Sequence, residues 1–343
     1  MSRAAITKGQ YWQPGGLRRV LVQWDGFWYL DIARHGYSFS AQHQSPMGFF
    51  PLYPLLTKAV SYAVPFEPRL DFAAIILSNV CLVAACFLLY ELIRVDYENP
   101  AVARLAIVFL LFSPVSFFFS GAYAESLFLM VTTGSLLAAV RGRWLVASLL
   151  GMAAAGTRHI GVLILLPLLI EWVRQHREGP VRLRALARPQ GVSLALVPMG
   201  AVLFFTYSYL RFNDFLAYFK ASKQWGRRFT SPVTTFQSAA HYSLFHRWLF
   251  FGLLVAAVVL LVAGVRLKVR TSYLAFGAAL VAVYLSSGTM EAMPRLLSIV
   301  FPLFVILALI AVRYRLAYEP LLATSVGVLG LCTVVYANGY WIT

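Results

Sequence analysis

Acidic residues are scarce in this sequence. Its 343 residues include 13 Asp and Glu against 29 Lys and Arg, and charged residues make up only 12% of the chain. A soluble domain of this length coats itself with about a quarter charged residues, so a water-soluble globular fold is excluded. Cysteine is nearly absent as well. Cys81, Cys86 and Cys332 all fall inside apolar runs. An odd count without metal-ligand spacing supports neither a disulfide framework nor a zinc site. Residues 1–23 lack the apolar core of a secretory signal. The net charge is +16, yet there is no basic tail and no RNA-binding signature, so nucleic acid is not an expected partner. Nor is there an internal repeat of the kind that marks transporters with inverted halves.

What the chain has instead is grease. Hydrophobic residues make up 60% of it, and mean hydropathy is +0.72. Apolar runs lie near 71–93, 102–119, 123–140, 190–212, 248–265, 271–287, 295–312 and 320–340. Each has about 17–23 residues, enough for a hydrocarbon core of about 30 Å. The expected fold is therefore all-α: a single polytopic transmembrane domain over 1–343, with about nine to eleven apolar helices.

Basic clusters at 141–143, 174–188 (Arg174, Arg177, Arg182, Arg184, Arg188), 266–270 and 313–315 are expected on the cytoplasmic side. Because 144–173 begins and ends at such clusters, it must cross an even number of times. It is predicted to form two short helices meeting at Thr157-Arg158-His159. The remaining spans then place 24–48, 120–124, 213–247 and 287–294 together on the outer face. Segment 49–65, opened by Pro51 and Pro54, is expected as an outer-face interfacial or re-entrant helix.

The outer side thereby collects Asp25, Asp31, Glu125, Asp214 and Glu291, with Lys220, Lys223, Arg227 and Arg228. Convergent polar groups at one membrane face form a candidate site. Several of these residues have a plainer reading. Asp25 could cap a short helix that ends at Gly36, with Trp24, Trp28 and Tyr29 as an interfacial aromatic belt. Asp31 and His35, one turn apart, could be a solvated pair. At about 100° per residue, Asp25 and Asp31 lie some 120° apart around a helix axis, so they are not expected to act as a catalytic pair. Glu125 opens an apolar span, where an acid favours the helix N-terminus. His241 and His246 are five apart, one more than would place two ligands on one helix face.

The stretch W-D-G-F-W-Y-L-D-I-A-R-H-G-Y at 24–37, followed by F-F-P-L-Y-P at 49–54, resembles the PIG-V-like mannosyltransferases of the GT-C superfamily. Four further segments follow in the family's order: S-P-V-S-F-F-F-S-G-A-Y-A-E-S-L-F at 113–128, G-T-R-H-I-G at 156–161, K-A-S-K-Q-W-G at 220–226 and P-R-L-L-S-I-V-F-P-L-F at 294–304. The resemblance implies a GT-C-like fold with an outer-face catalytic loop over 24–65. It also implies transfer of a sugar, usually mannose, from a polyprenyl- or dolichyl-phosphate donor. In such enzymes an acid in the first outer loop is taken as the catalytic base, a role that maps onto Asp25. The family's eukaryotic members act on glycosylphosphatidylinositol precursors. Two departures stand out. Family members carry an apolar span before the W-D motif, whereas residues 1–23 hold only the short R-R-V-L-V run, so that first span is expected to be absent. In addition, Q-S-P-M-G-F-F replaces the usual approach to F-F-P.

The inventory suits this chemistry on its own terms. Inverting transfer from a lipid phosphate needs one carboxylate to take the acceptor's proton. The leaving group is itself a phosphate, so no second carboxyl is needed as acid. Cations must meet the departing oxygens: Arg158, Arg295, Lys220, Lys223 and Arg227 are the candidates, with Arg228. Arg158 and Arg295 stand at the outer ends of apolar helices, as phosphate ligands or as ion-pair partners of Glu125 or Glu291. Trp24, Trp28, Tyr29, Asp31, Glu125, His159, Gln224 and Trp225 are candidate supporting residues, and loop 213–247 a candidate clamp. No cofactor or metal is required. A divalent ion held by Asp25, Asp31 and Glu125 is the minor alternative.

The expected partners are membrane lipids, the lipid-phosphate sugar and an acceptor on the outer or lumenal face. That face belongs to the plasma membrane in a prokaryote or the endoplasmic reticulum in a eukaryote. Two other functions fit the same features: transfer of glucose or arabinose by the same mechanism, or non-catalytic transport of a lipid or glycan.

Overall fold

The computed structural model describes residues 16–176 and 189–342. Arg177, Arg182, Arg184 and Arg188 of the basic cluster lie outside the described residues, as does most of the segment before Leu17. Within them the protein is an all-α polytopic membrane protein. Its helices are α1 (Leu17–Leu21), α2 (Asp25–His35), α3 (Leu52–Ser61), α4 (Arg69–Asp96), α5 (Pro100–Leu111), α6 (Glu125–Val140), α7 (Trp144–Thr157) and α8 (Leu165–Gln175). After the undescribed segment come α9 (Leu196–Phe212), α10 (Ala217–Gln224), α11 (Pro232–Ser238), α12 (Leu244–Arg266), α13 (Thr271–Leu285), α14 (Met293–Ser298), α15 (Phe301–Arg313) and α16 (Arg315–Ala337).

Four described helical stretches are long and apolar enough to cross a membrane: α4, α12, α16, and Gln190–Phe212, in which a short helix over Pro189–Val192 and a 3-10 turn over Ser193–Ala195 run into α9. Five other apolar helices have only 10–17 residues. The sequence explains why. The run 102–119 does not form one helix, because Pro114 lacks an amide donor and disfavours helical backbone at Ser113. Helix α5 stops at Leu111, and a 3-10 turn over Ser116–Phe119 follows. The run 295–312 likewise breaks at Ile299 and Val300 ahead of Pro302, into α14 and α15. Segment 49–65 yields α3, with ten residues. At 1.5 Å per residue that is about 15 Å, half of a bilayer core.

Short helices find their place by being buried. Helix α6 is enclosed on nearly every side, chiefly by α4 and α7. Meanwhile α4 and α12 leave Val80, Val83, Phe87, Val255, Val259 and Val262 exposed, the outward apolar band that lipid covers. Region 144–173 folds as the sequence suggests. Helix α7 ends at Thr157, Arg158 is extended (φ −152°, ψ 147°), and a 3-10 turn over His159–Ile164 leads into α8.

Two glycines make this hairpin possible. A Cβ on Gly161 would collide with the Ala154 carbonyl, and one on Gly200 with the Met152 carbonyl, where α9 crosses α7 backbone to backbone.

Polar side chains gather in two places. In one, fully buried Glu171 meets Arg174 at 2.8 Å and Arg270 at 3.1 Å, and accepts a hydrogen bond from Ser272 Oγ at 2.6 Å. Arg270 also pairs with Asp96. This cluster ties the C-terminal ends of α4 and α8 to the start of α13. Helix α13, at 15 residues or about 22 Å, leads from it to the second cluster, described below.

Gly161 and Gly252 separate close approach from mere flexibility, since Gly252 on α12 has no atom within 4 Å of a built Cβ. Gly161→Ala is expected to destabilise the protein by about 1–3 kcal/mol or more. Gly252→Ala is expected to be neutral or stabilising, by up to about 1 kcal/mol. Thermal unfolding in detergent measures both.

Candidate active site

Three helix starts and one helix break converge at the second cluster. Asp25 is the first residue of α2, and Glu125 the first of α6. Arg158 occupies the extended break after α7, and Arg295 sits within the six-residue α14. The residues ahead of α2 and α14 have positive φ without being glycine: Trp24 at 56° and Ala292 at 67°. Such backbone costs on the order of 1–3 kcal/mol and persists where the surroundings over-determine it. Around Trp24 they do. Tyr123 Oη donates to the Gln23 carbonyl at 2.7 Å, Gln23 Nε2 donates to the Tyr336 carbonyl at 3.0 Å, and the Trp24 ring packs on Trp341 with centroids 4.9 Å apart.

The four ionised groups form a chain. Arg295 Nη2 lies 2.6 Å from Asp25 Oδ2, and Arg295 Nε lies 3.2 Å from Glu125 Oε1. Arg158 Nη2 donates to the same Glu125 oxygen at 2.7 Å. Glu125 is 0% exposed, Arg295 2% and Asp25 6%. Charges this deep are tolerated only when paired, and here two acids meet two bases. The Phe118, Tyr123 and Trp341 rings lie 5.5–5.7 Å from the Arg295 guanidinium carbon, adding cation–π attraction.

The pairing is incomplete. Arg158 Nη1, Arg295 Nε and Nη1, Glu125 Oε2, Ser222 Oγ and Tyr284 Oη are buried without a hydrogen-bond partner. Most buried polar atoms in proteins have one. Beside them opens a cavity of about 260 Å³. Asp25, Arg158, Arg227, Arg228, Glu291 and Arg295 supply its charges, and Phe49, Phe50, Tyr218 and Phe219 part of its aromatic wall. Tyr29 also lines it; burial pushes this phenol up to about 12, so it stays protonated and able to donate.

The structure distributes the sequence candidates unevenly. Asp25, Tyr29, Arg158, His159, Arg227 and Arg295 line the cavity. Glu125 stands behind the two arginines and outside the lining. His159 Nδ1 shares a hydrogen bond with Tyr218 Oη at 2.7 Å. Trp225 sets its edge against Trp28 and Phe49, and Trp28 stacks on Phe49. Gln224 Nε2 donates to the Ala41 carbonyl at 2.8 Å, linking α10 to the first loop.

Lys220 pairs instead with Asp214 at 2.6 Å, and Lys223 is exposed; neither lines the cavity. Asp31 pairs with His35 at 2.8 Å on the open side of α2. Consistent with that, no group of three potential metal ligands converges among the described residues. Tyr218, Ser222, Tyr284 and Thr289 of the wall were not singled out from sequence. Tyr218 and Ser222 do lie in or beside K-A-S-K-Q-W-G, whereas Tyr284 looks like any aromatic residue ending an apolar span.

Comparison with known proteins shows what the first half of this chain is similar to. The family described as Mannosyltransferase (PIG-V) matches residues 9–176, which include Asp25, Glu125 and Arg158. The GPI alpha-1,6-mannosyltransferase 2 of Mus musculus is 31% identical over 157 residues, covering 44% of this chain and 31% of that protein. The GPI mannosyltransferase 2 of Drosophila melanogaster is 31% identical over 121 residues, covering 33% and 25%. The GPI mannosyltransferase pigv-1 of Caenorhabditis elegans is 30% identical over 129 residues, covering 34% and 18%. The chain thus spans less than a third of the length of each of these relatives.

Arg295→Met would strand Asp25 and Glu125 without the cation they share. The expected loss is about 3–5 kcal/mol of stability. Asp31→Asn, on an exposed pair, should change stability by less than about 0.5 kcal/mol. Thermal unfolding of the two variants side by side checks the contrast.

Proposed function

We propose that this chain, which belongs over residues 9–176 to the PIG-V family of mannosyltransferases, transfers mannose from a polyprenyl-phosphate donor to the hydroxyl of a lipid-linked or glycan acceptor. The observation that carries this reading is one carboxylate, Asp25, paired with Arg295 and sharing a cavity wall with Arg295 and Arg158, whose Nη1 groups have no hydrogen-bond partner. Acceptor oxygen, anomeric carbon and phosphate must meet within a few ångströms, and this wall offers a base and phosphate donors at that spacing.

Asp25 accepts the acceptor's proton as its oxygen attacks the anomeric carbon. The bond from that carbon to the phosphate oxygen breaks, and its electron pair leaves with the phosphate. Arg158 and Arg295 meet the departing oxygens with charge-assisted hydrogen bonds. Tyr29, protonated, is a further donor beside them.

Charge count supports the donor class. Among the described residues the wall carries Arg158, Arg227, Arg228 and Arg295 against Asp25 and Glu291, with Glu125 behind. That leaves one positive charge, the complement of a phosphodiester. The aromatic wall of Phe49, Phe50, Tyr218 and Phe219 suits the apolar faces of a sugar and the start of a lipid chain. The basic ends at 141–143, 266–270 and 313–315 favour a cytoplasmic position for the Arg270 end. On that reading the cavity opens on the outer face, and polar groups gathered there rather than at mid-depth favour surface chemistry over transport.

Asp25→Asn is the test. With labelled polyprenyl-phosphate mannose, turnover by folded protein should fall about 10²–10⁴-fold, the scale of a general base, while donor binding changes little. A folded Asp25→Asn protein with the wild-type rate would overturn the assignment.

A further inference from the structure

Glu125 touches neither the cavity nor solvent, yet both arginines of the proposed phosphate site rest on it. One oxygen, Oε1, accepts a hydrogen bond from Arg158 Nη2 at 2.7 Å and stands 3.2 Å from Arg295 Nε as an ion pair without a hydrogen bond. The other, Oε2, is buried with no donor. Oε1 thus faces both cations, and the Nη1 groups of both are unpartnered. Both residues line the cavity.

We propose that Glu125 is a positioning residue with two effects: it sets the spacing of Arg158 and Arg295, and its charge limits how tightly the site keeps the phosphate product. This inference rests on the lipid-phosphate reading above. The balance runs through the reaction. A phosphodiester donor carries one negative charge and neutralises the single positive surplus of the site. Transfer breaks the acceptor O–H bond and the bond between sugar carbon and phosphate oxygen, and forms the new glycosidic bond. The proton moves to Asp25 and the electron pair to the phosphate, so the total charge of the site is unchanged.

Once Asp25 gives that proton to water, a phosphate monoester approaching two negative charges faces a surplus of only one. The excess negative charge favours release. With glutamine at position 125 the surplus is two, the product is fully balanced, and it stays. Oε1 supplies this effect from behind the arginines, without meeting substrate.

The experiment measures direct binding of polyprenyl phosphate, together with kcat and KM for polyprenyl-phosphate mannose. It compares wild type, Glu125→Gln and Glu125→Asp, each corrected for the folded fraction. Removing a unit charge a few ångströms away at intermediate permittivity should tighten product binding by Glu125→Gln roughly ten- to fiftyfold and lower kcat. Glu125→Asp keeps the charge, so product binding should stay within about threefold. Its shorter arm cannot reach both arginines, so kcat should fall about tenfold or more.

A purely structural role would lower the folded fraction and leave these constants alone. Folded Glu125→Gln with unchanged or weaker product binding overturns the proposal, as does Glu125→Asp with wild-type kcat. If the glutamine variant does not fold, the aspartate variant decides. Wild type that binds polyprenyl phosphate without turnover sinks the transfer reading while the binding comparison still judges Glu125. Wild type that neither binds nor turns over sinks both.

Discussion

Four charges in a row, the buried Asp25, Arg295 and Glu125 and the mostly covered Arg158, are the constraint around which this protein is built. None could be held singly in so dry a place, since an unpaired ion costs several kcal/mol even after relaxation. Each therefore has to arrive beside its partner from a different part of the chain. The start of α2 brings Asp25, the start of α6 brings Glu125, the break after α7 brings Arg158, and the short α14 brings Arg295. A straight helix would carry its side chains past the meeting point. The proline-induced breaks, the extended Arg158 and the positive φ of Trp24 and Ala292 are how the chain stops in the right place.

The surrounding packing holds that arrangement. Gly161 and Gly200 let α7, the following turn and α9 touch at backbone distance, which fixes the height of Arg158. From the other side, the end of α16 supplies the Tyr336 hydroxyl to Tyr123 at 2.7 Å, and the residues beyond it lay Trp341 over Arg295. Segment 213–238 closes the cavity with Tyr218, Ser222, Arg227 and Arg228. The Arg270–Asp96–Glu171 cluster pins the far ends of the same helices. Two polar clusters thus bound an apolar slab. A bilayer demands that division, because backbone and charge must be satisfied within the protein at mid-depth.

Much of this was legible in the chain. Low charge and long apolar runs implied a membrane fold, and the basic clusters flanking 144–173 implied its break at Arg158. Helical periodicity separated Asp25 from Asp31, which the fold places in a buried ion pair and an exposed one. Other features were not legible. Runs 102–119 and 295–312 looked continuous because apolar composition outweighed their prolines to the eye. Lys220 and Lys223 shared a motif with cavity residues, yet Lys220 turns to Asp214 and Lys223 faces outward, since side chains on one short helix point in different directions. Tyr284 carried no signal at all. Its place in the cavity lining comes from where α13 ends in the fold.

By itself, then, the sequence determined the solvent this protein lives in, the break at Arg158, and which ionisable residues were too costly to be incidental. These are local consequences of composition and backbone chemistry. Which charges pair, which one stays behind the wall, and which donors remain free for a ligand were decided only by the tertiary structure. Asp25 and Arg295 are separated by most of the chain, and no local rule brings them to 2.6 Å. That contact exists because several packed helices, each with its own break, leave one place where two acids and two arginines neutralise one another.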